Sequence, residues 1–270
     1  MNAVWDLLAK RAGQPLWRYV CGLPSKKIIE AVDFRHISDA LTPEEALDQL
    51  ERLSATREER IAHLEAEGYP AYTPSAGWIG FSDDEIVKRL KEAYADGWRH
   101  FKIKVGRNLD EDIRRCQLVR DTVGWEVKLS VDANQIWDVA EAIDAIKAMA
   151  QFDIYWVEEP TSPDDILGHA AIANAVSPTK LATGEHAHNR VMFKQFLQSG
   201  AIGFCQIDAC RIAGVNETLA VMLMAQKAGV PICPHAGGVG LCEYVQHLSM
   251  IDYVCISGSQ DGRVIEHAGS

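Results

Sequence analysis

Positive charge is in short supply. The 27 lysines and arginines stand against 38 aspartates and glutamates, a formal net charge of −11 over 270 residues. Such an excess of acid argues against a surface for nucleic acid or anionic membrane. No apolar run reaches the ~20 residues that a membrane-spanning helix needs. The first twenty residues lack the apolar centre of a secretory signal, because Asp6, Lys10 and Arg11 interrupt it. Cys21, Cys116, Cys205, Cys210, Cys233, Cys242 and Cys255 are scattered, odd in number and never spaced Cys-x-x-Cys. They read as reduced thiols of a cytoplasmic chain rather than a disulfide framework. What the sequence does have is apolar content: 47% of residues are hydrophobic, enough for a sizeable core.

Residues 1–68 read as short helices that pack on something else. Apolar spacing suggests a helix over 2–12 and another apolar piece from Leu16 to Val20. Ile28 to Phe34 reads as a short strand. Thr42-Pro43-Glu44-Glu45 carries a cap, a proline at the first helical position and a capping-box glutamate, and opens a helix to about Leu53. A charged helix follows from Arg57 to Glu67. From Tyr69 the rhythm becomes strand, turn, helix, repeated to the end of the chain. Strands are expected over 71–75, 100–105, 127–131, 154–157, 181–182, 202–207 and 230–233, with helices between them. Ser82-Asp83-Asp84-Glu85 and Ser162-Pro163-Asp164-Asp165 supply caps. Seven or eight such units predict a parallel sheet closed into a β/α barrel.

Polar residues stand where most of these strands finish. Lys102 and Lys104 share one face of their strand, since side chains alternate. Like charge and burial are expected to depress at least one of the two pKa values. Asp132, Glu158 and Glu185 end three consecutive units, and Asp208, His235 and Glu266 follow at the same rhythm. In a barrel these ends converge on one face. Three carboxylates brought together need a cation, and hard oxygen ligands suit Mg²⁺. Asp208 and His235 make an acid/base pair in which the carboxylate orients the ring. His186 and His188 alternate after Glu185, but zinc ligation lacks a nearby thiolate. The glycines at 237, 238 and 240 miss the dinucleotide spacing and predict a tight turn.

At these residues the chain resembles the enolase superfamily, in its mandelate racemase subgroup. The carriers are Lys102-Ile103-Lys104, Asp132-Ala133-Asn134-Gln135, Trp156-Val157-Glu158-Glu159-Pro160-Thr161, Thr183-Gly184-Glu185, Gln206-Ile207-Asp208 and Cys233-Pro234-His235-Ala236-Gly237-Gly238. Ser162-Pro163-Asp164-Asp165, Asn189-Arg190, Phe193-Lys194-Gln195 and the run from Pro234 to His247 look like the L-fuconate dehydratases within it. The resemblance implies an α/β fold, a (β/α)7β modified TIM barrel over 69–270 with a partial, mostly helical remnant of an α+β capping domain over 1–68. It implies Mg²⁺ on Asp132, Glu158 and Glu185. Removal of the proton α to a carboxylate and loss of the 3-hydroxyl would turn L-fuconate into its 2-keto-3-deoxy acid. L-galactonate or a related aldonate, dehydrated or racemised, is the alternative.

In that scheme Lys104 is the base at C2 and Lys102 contacts the substrate carboxylate. His235, held by Asp208, is the acid, and the lysine and histidine roles can be exchanged. Glu266 and Asn134 contact the substrate. The partner expected is a small acid sugar, met by a homo-oligomer, with neither nucleic acid nor membrane. Relative to the family, the chain is expected to start inside the cap's helices and to stop soon after Glu266. That raises the further reading of a catalytically impaired relative that binds without turnover.

Overall fold

The structure is a computed structural model that describes residues 1–238 and 240–268. Five short helices come first: α1 (Asn2–Arg11), α2 (Leu16–Cys21), α3 (Ser25–Glu30), α4 (Pro43–Arg52) and α5 (Arg57–Glu67). The capping box forms as read: the Glu45 N–H donates to Thr42 Oγ1 at 3.3 Å and the Thr42 N–H to Glu45 Oε2 at 2.9 Å. Helix α3 corrects the strand expected from Ile28. Its buried positions Ser25 and Ile28 lie three apart, the spacing of a helix face, and Lys27 pairs with Glu30 one turn on at 2.6 Å.

Strand and helix then alternate. They run β1 (Ala71–Gly77), α6 (Asp83–Ala95), β2 (His100–Lys104), α7 (Leu109–Val123), β3 (Lys128–Asp132), α8 (Val139–Met149), β4 (Ile154–Glu158), α9 (Ile166–Val176) and β5 (Lys180–Thr183). After them come α10 (Arg190–Gln198), β6 (Phe204–Cys205), α11 (Val215–Ala228), α12 (Leu241–Ile251), a π-helical turn at Asp252–Ser257 and β7 (Ile265–Glu266). Ser82 caps α6 as expected, accepting the Glu85 N–H at 3.3 Å. The cap of α9 is Asp165, which accepts the Gly168 N–H at 2.7 Å. Residues 162–165 are spent on a turn closed by the Asp165 N–H on the Ser162 carbonyl at 3.0 Å, so the helix begins later than its capping pattern suggests.

The seven strands lie in the order β6-β5-β4-β3-β2-β1-β7, and β1 to β5 pair in parallel. This is the (β/α)7β, modified TIM-barrel class of α/β fold, preceded by helices. Two expected strands shrink. Only Phe204–Cys205 is strand within 202–207, and 230–233 is reduced to one bridge between Cys205 and Ile232. Pro231 has no N–H for a ladder; its carbonyl accepts the Cys205 N–H at 2.9 Å.

The chain divides into two compact units. The first holds Met1–Pro70, Gly184–Gln198 and Cys205–Ile265. Inside it the early helices are pinned by charge: Arg190 reaches Asp33 at 2.8 Å and Glu217 at 2.9 Å. Buried Arg60 donates to the Val254 carbonyl at 2.9 Å. The second holds Ala71–Thr183, Ser199–Phe204 and the residues from Glu266 on. Its apolar core sits between strands and helices, with Leu90, Cys116, Val119, Leu129, Val131 and Ile146 sealed from solvent. Among the described residues no helix is long and apolar enough to cross a membrane.

Arg120 on α7 ties together the starts of two strands in the second unit. It is 2% exposed and donates to the carbonyls of Phe152 (2.8 Å), Asp153 (3.0 Å) and Val127 (2.8 Å). Replacing it strands buried acceptors, each costing about 1–3 kcal/mol. Arg120→Met is expected to lower stability by about 3 kcal/mol in urea unfolding; a loss under about 0.5 kcal/mol would mean that water replaces the guanidinium at no cost.

Candidate functional site

Parallel pairing places the ends of three strands of the second unit side by side. Lys104 is in register with Asp132, and Asp132 with Glu158. Lys102 lies 2.6 Å from Glu158 Oε1, 2.9 Å from Glu266 Oε1 and 3.7 Å from Asp132 Oδ2. Lys104 lies 2.5 Å from Asp132 Oδ2. The other oxygen of Asp132 accepts the Asn134 N–H at 2.9 Å. Asp132 and Glu158 are wholly buried. For Lys102 the pairing reverses the expected depression. Burial disfavours the Lys102 ammonium, but Glu158 and then Glu266, Tyr72 and Asp132 outweigh it and hold its pKa well above the usual lysine value. The like-charged neighbour on β2 does not decide the matter; the carboxylates of other strands do. The strand that carries both lysines is internal to the sheet, since β2 lies between β1 and β3.

The two lysines differ in access. The side chain of Lys102 is 2% exposed and that of Lys104 is 16% exposed. The backbone beyond the strands is strained at three non-glycine residues: Asn134 (φ 46°), Gln135 (φ 67°) and Glu159 (φ 42°). Such left-handed residues persist only where surroundings fix them. Here the Gln135 N–H donates to the Glu159 carbonyl at 2.8 Å, and its side-chain amide donates to the Glu159 carboxylate at 3.0 and 3.1 Å.

Below the charges sits an aromatic layer that sequence reasoning missed. Tyr72, His100 and Trp156 are buried, with His100 ring centroids 5.1 Å from Tyr72 and 4.7 Å from Trp156. The His100 Nε2 shares a hydrogen bond with Ser130 Oγ at 2.8 Å. Burial, with Lys128 and Lys102 adding to it, pushes the His100 pKa down to about 3. Aromatics in a strand read as ordinary core; the only hint was their alternation with Lys102 and Glu158.

The first unit carries the remaining residues. The His235 Nδ1 lies 2.9 Å from Asp208 Oδ2, and its Nε2 lies 3.4 Å from Glu185 Oε2. The second oxygen of Glu185 lies 3.3 Å from His186 Nδ1. Burial pushes the Asp208 carboxyl up, but His235 and the Cys210 N–H outweigh it and hold Asp208 below the usual carboxylate value. Two glycines make room. A Cβ at Gly184 (φ 140°) would meet Phe193 at 2.7 Å and the Gln206 carbonyl at 2.8 Å, and one at Gly237 would meet His235 Nε2 at 2.8 Å. In the glycine-rich turn after His235 the Leu241 N–H donates to the Gly238 carbonyl at 3.1 Å; Val239 lies outside the described residues.

Residues 85–268 match the family described as enolase C-terminal domain-like. The chain belongs to the enolase superfamily, on its mandelate racemase-like side. It is 52% identical over 263 residues to the L-galactonate dehydratase of Hypocrea jecorina, covering 96% of this chain and 58% of that protein. It superposes on the crystal structure of human mitochondrial enolase superfamily member 1 with a TM-score of 0.98 at 50% identity, over 100% of this chain and 62% of that one. The L-talarate/galactarate dehydratase of Salmonella typhimurium LT2, solved with Mg and L-lyxarohydroxamate, superposes with a TM-score of 0.66 at 35% identity, over 74% of this chain and 48% of that one. The chain spans about three-fifths of the length of the relatives it matches closely.

The donor chemistry in this superfamily member fits a hard divalent cation. In the second unit the buried carboxylates of Asp132, Glu158 and Glu266 gather around the ammonium groups of Lys102 and Lys104. Oxygen donors without a thiolate suit Mg²⁺.

His100 gives this site a pH signature. An unfolded histidine titrates near 6.5, whereas the folded ring stays neutral to about 3. Between those values only the unfolded chain takes up the proton, so stability falls as pH drops below 6.5. His100→Gln, which keeps a donor toward Ser130, is expected to remove about 2 kcal/mol of the stability lost between pH 6.5 and 5, read by urea unfolding at both values. Parallel pH dependence in both proteins would show that His100 is not the group responsible.

Proposed function

We propose that the chain is a Mg²⁺-dependent acid-sugar dehydratase acting on an L-galacto-configured aldonate. The observation that carries the reading is the set of charged strand ends, with Lys102 and Lys104 packed on Asp132, Glu158 and Glu266 in one unit and His235 on Asp208 and Glu185 in the other. L-fuconate is 6-deoxy-L-galactonate, so the two candidate substrates share every centre near the reaction and differ only at C6. The L-galactonate dehydratase relative favours the 6-hydroxy form, and the sequence motifs favour the 6-deoxy form.

Asp132, Glu158 and Glu185 would hold the metal ion, whose positive charge would stabilise negative charge developing at the substrate carboxylate. Lys104, the more accessible lysine, takes the C2 proton. Lys102, fixed and cationic, draws the substrate carboxylate toward the strand ends, with Glu266 as its buried counter-charge. Asn134, whose backbone N–H already orients Asp132, flanks the substrate. His235 holds its Nδ1–H on Asp208 and delivers a proton from Nε2 to the departing 3-hydroxyl, which leaves as water. The enol that remains tautomerises to the 2-keto-3-deoxy acid. All seven cysteines are free thiols, which suits a reducing compartment such as the cytoplasm.

Incubation with Mg²⁺ and L-galactonate or L-fuconate is expected to yield 2-keto-3-deoxy acid, measured as its semicarbazone, and chelation with EDTA to abolish it. Lys104→Ala and His235→Asn should each cut the rate by at least about 100-fold, the scale of a lost general base or acid. The failure of any acid sugar to turn over would refute the reading.

A further inference from the structure

We infer that Tyr72 and Trp156 are positioning residues, a buried aromatic seat that fixes the Lys102 ammonium and the Glu158 carboxylate in single orientations. The inference rests on the reading of Glu158 as a metal ligand and Lys102 as a substrate-facing cation, and goes beyond it. Trp156 and Glu158 lie two apart on β4 and so share a face. The Trp156 indole N–H donates to Glu158 Oε2 at 3.2 Å, while Oε1 meets Lys102 at 2.6 Å. A carboxylate held at one oxygen still swings about its last torsion; held at both, its plane is set. The Tyr72 hydroxyl lies 3.4 Å from Lys102 Nζ, and its ring centroid lies 5.3 Å from the same atom. The ammonium therefore sits at the hydroxyl rim of the ring, where the Tyr72 oxygen accepts from it.

Three features make this a seat rather than incidental packing. Tyr72 and Trp156 come from different strands, and their rings meet edge to face at 5.2 Å. His100 wedges against both rings and is tethered to Ser130 at 2.8 Å. Tyr72, Lys102, Trp156 and Glu158 are all at most 2% exposed, so water does not compete for these contacts. Groups behind a ligand orient it, and their loss lowers metal affinity by about 10–100-fold.

The test separates the two rings. Mn²⁺, titrated into the 270-residue chain and followed by electron paramagnetic resonance, reports the carboxylates without turnover. Trp156→Phe keeps a ring and loses the N–H, and is expected to bind Mn²⁺ about tenfold more weakly with little change in Tm. Tyr72→Phe loses only the hydroxyl, and should leave Mn²⁺ affinity intact while raising KM for the acid sugar severalfold more than it lowers kcat. In the wild-type chain, Mg²⁺ should shift the assigned Trp156 indole N–H resonance, a readout that survives if Trp156→Phe does not fold. Unchanged Mn²⁺ affinity in a folded Trp156→Phe, or an unmoved indole resonance, would overturn the role of Trp156. An unchanged KM in Tyr72→Phe would overturn that of Tyr72. A wild-type chain that binds no Mn²⁺ would bring down the reading of the site, and this inference with it; normal wild-type binding with indifferent variants brings down the inference alone.

Discussion

A buried ammonium group among carboxylates from three other strands is the constraint on which the second unit depends. Lys102 is 2% exposed and contacts Glu158, Glu266 and, at longer range, Asp132. Stripping such groups of water costs several kcal/mol for each ion, and only close partners offset it. That requirement fixes strand register: a slip of one residue on β2, β3 or β4 would turn a charge into the apolar layer under the helices. It also explains why the turns after β3 and β4 tolerate left-handed backbone at Asn134, Gln135 and Glu159. The chain must bend sharply there to leave Asp132 and Glu158 facing inward.

Charge partners, rather than residue type, set behaviour in both units. Asp208 is held below the usual carboxylate value by His235 and the Cys210 N–H despite its burial. Asp252, fully buried with Arg263 at 2.8 Å, is nonetheless raised, because burial there outweighs a single arginine. In the first pair the other ring nitrogen of His235 lies 3.4 Å from Glu185. The second also reaches Gln226 through Arg263 and holds the π-helical turn to the segment before β7.

Much of this was legible in the sequence, because local chemistry and global fold agree. Thr42 with Glu45, and Ser82 with Glu85, announced helix starts that form as read. The regular return of a charged residue at strand ends announced a parallel barrel and its polar face. Local signals failed where tertiary demands intervened. Ile28 and Ile29 suggested a strand, yet the buried face they join has helical spacing. The direction of the Lys102 shift was hidden because its causes, Glu158 and Glu266, lie far along the chain. The aromatic seat was hidden too: Tyr72 and Trp156 are ordinary strand residues until their polar atoms are seen to meet charges.

Arg120 has a bearing on how such a protein can change over time. Its guanidinium knots the carbonyls of Val127, Phe152 and Asp153 at the beginnings of β3 and β4, while Lys102, Lys104, Asp132 and Glu158 stand at or near the ends of their strands. Cohesion and chemistry in the second unit are thus vested in opposite rims. Substitutions at distant, unshared positions add nearly independently. Loops at the carboxyl rim are therefore free to vary while the knot at the other rim keeps the sheet intact, which is how one scaffold comes to carry different sites.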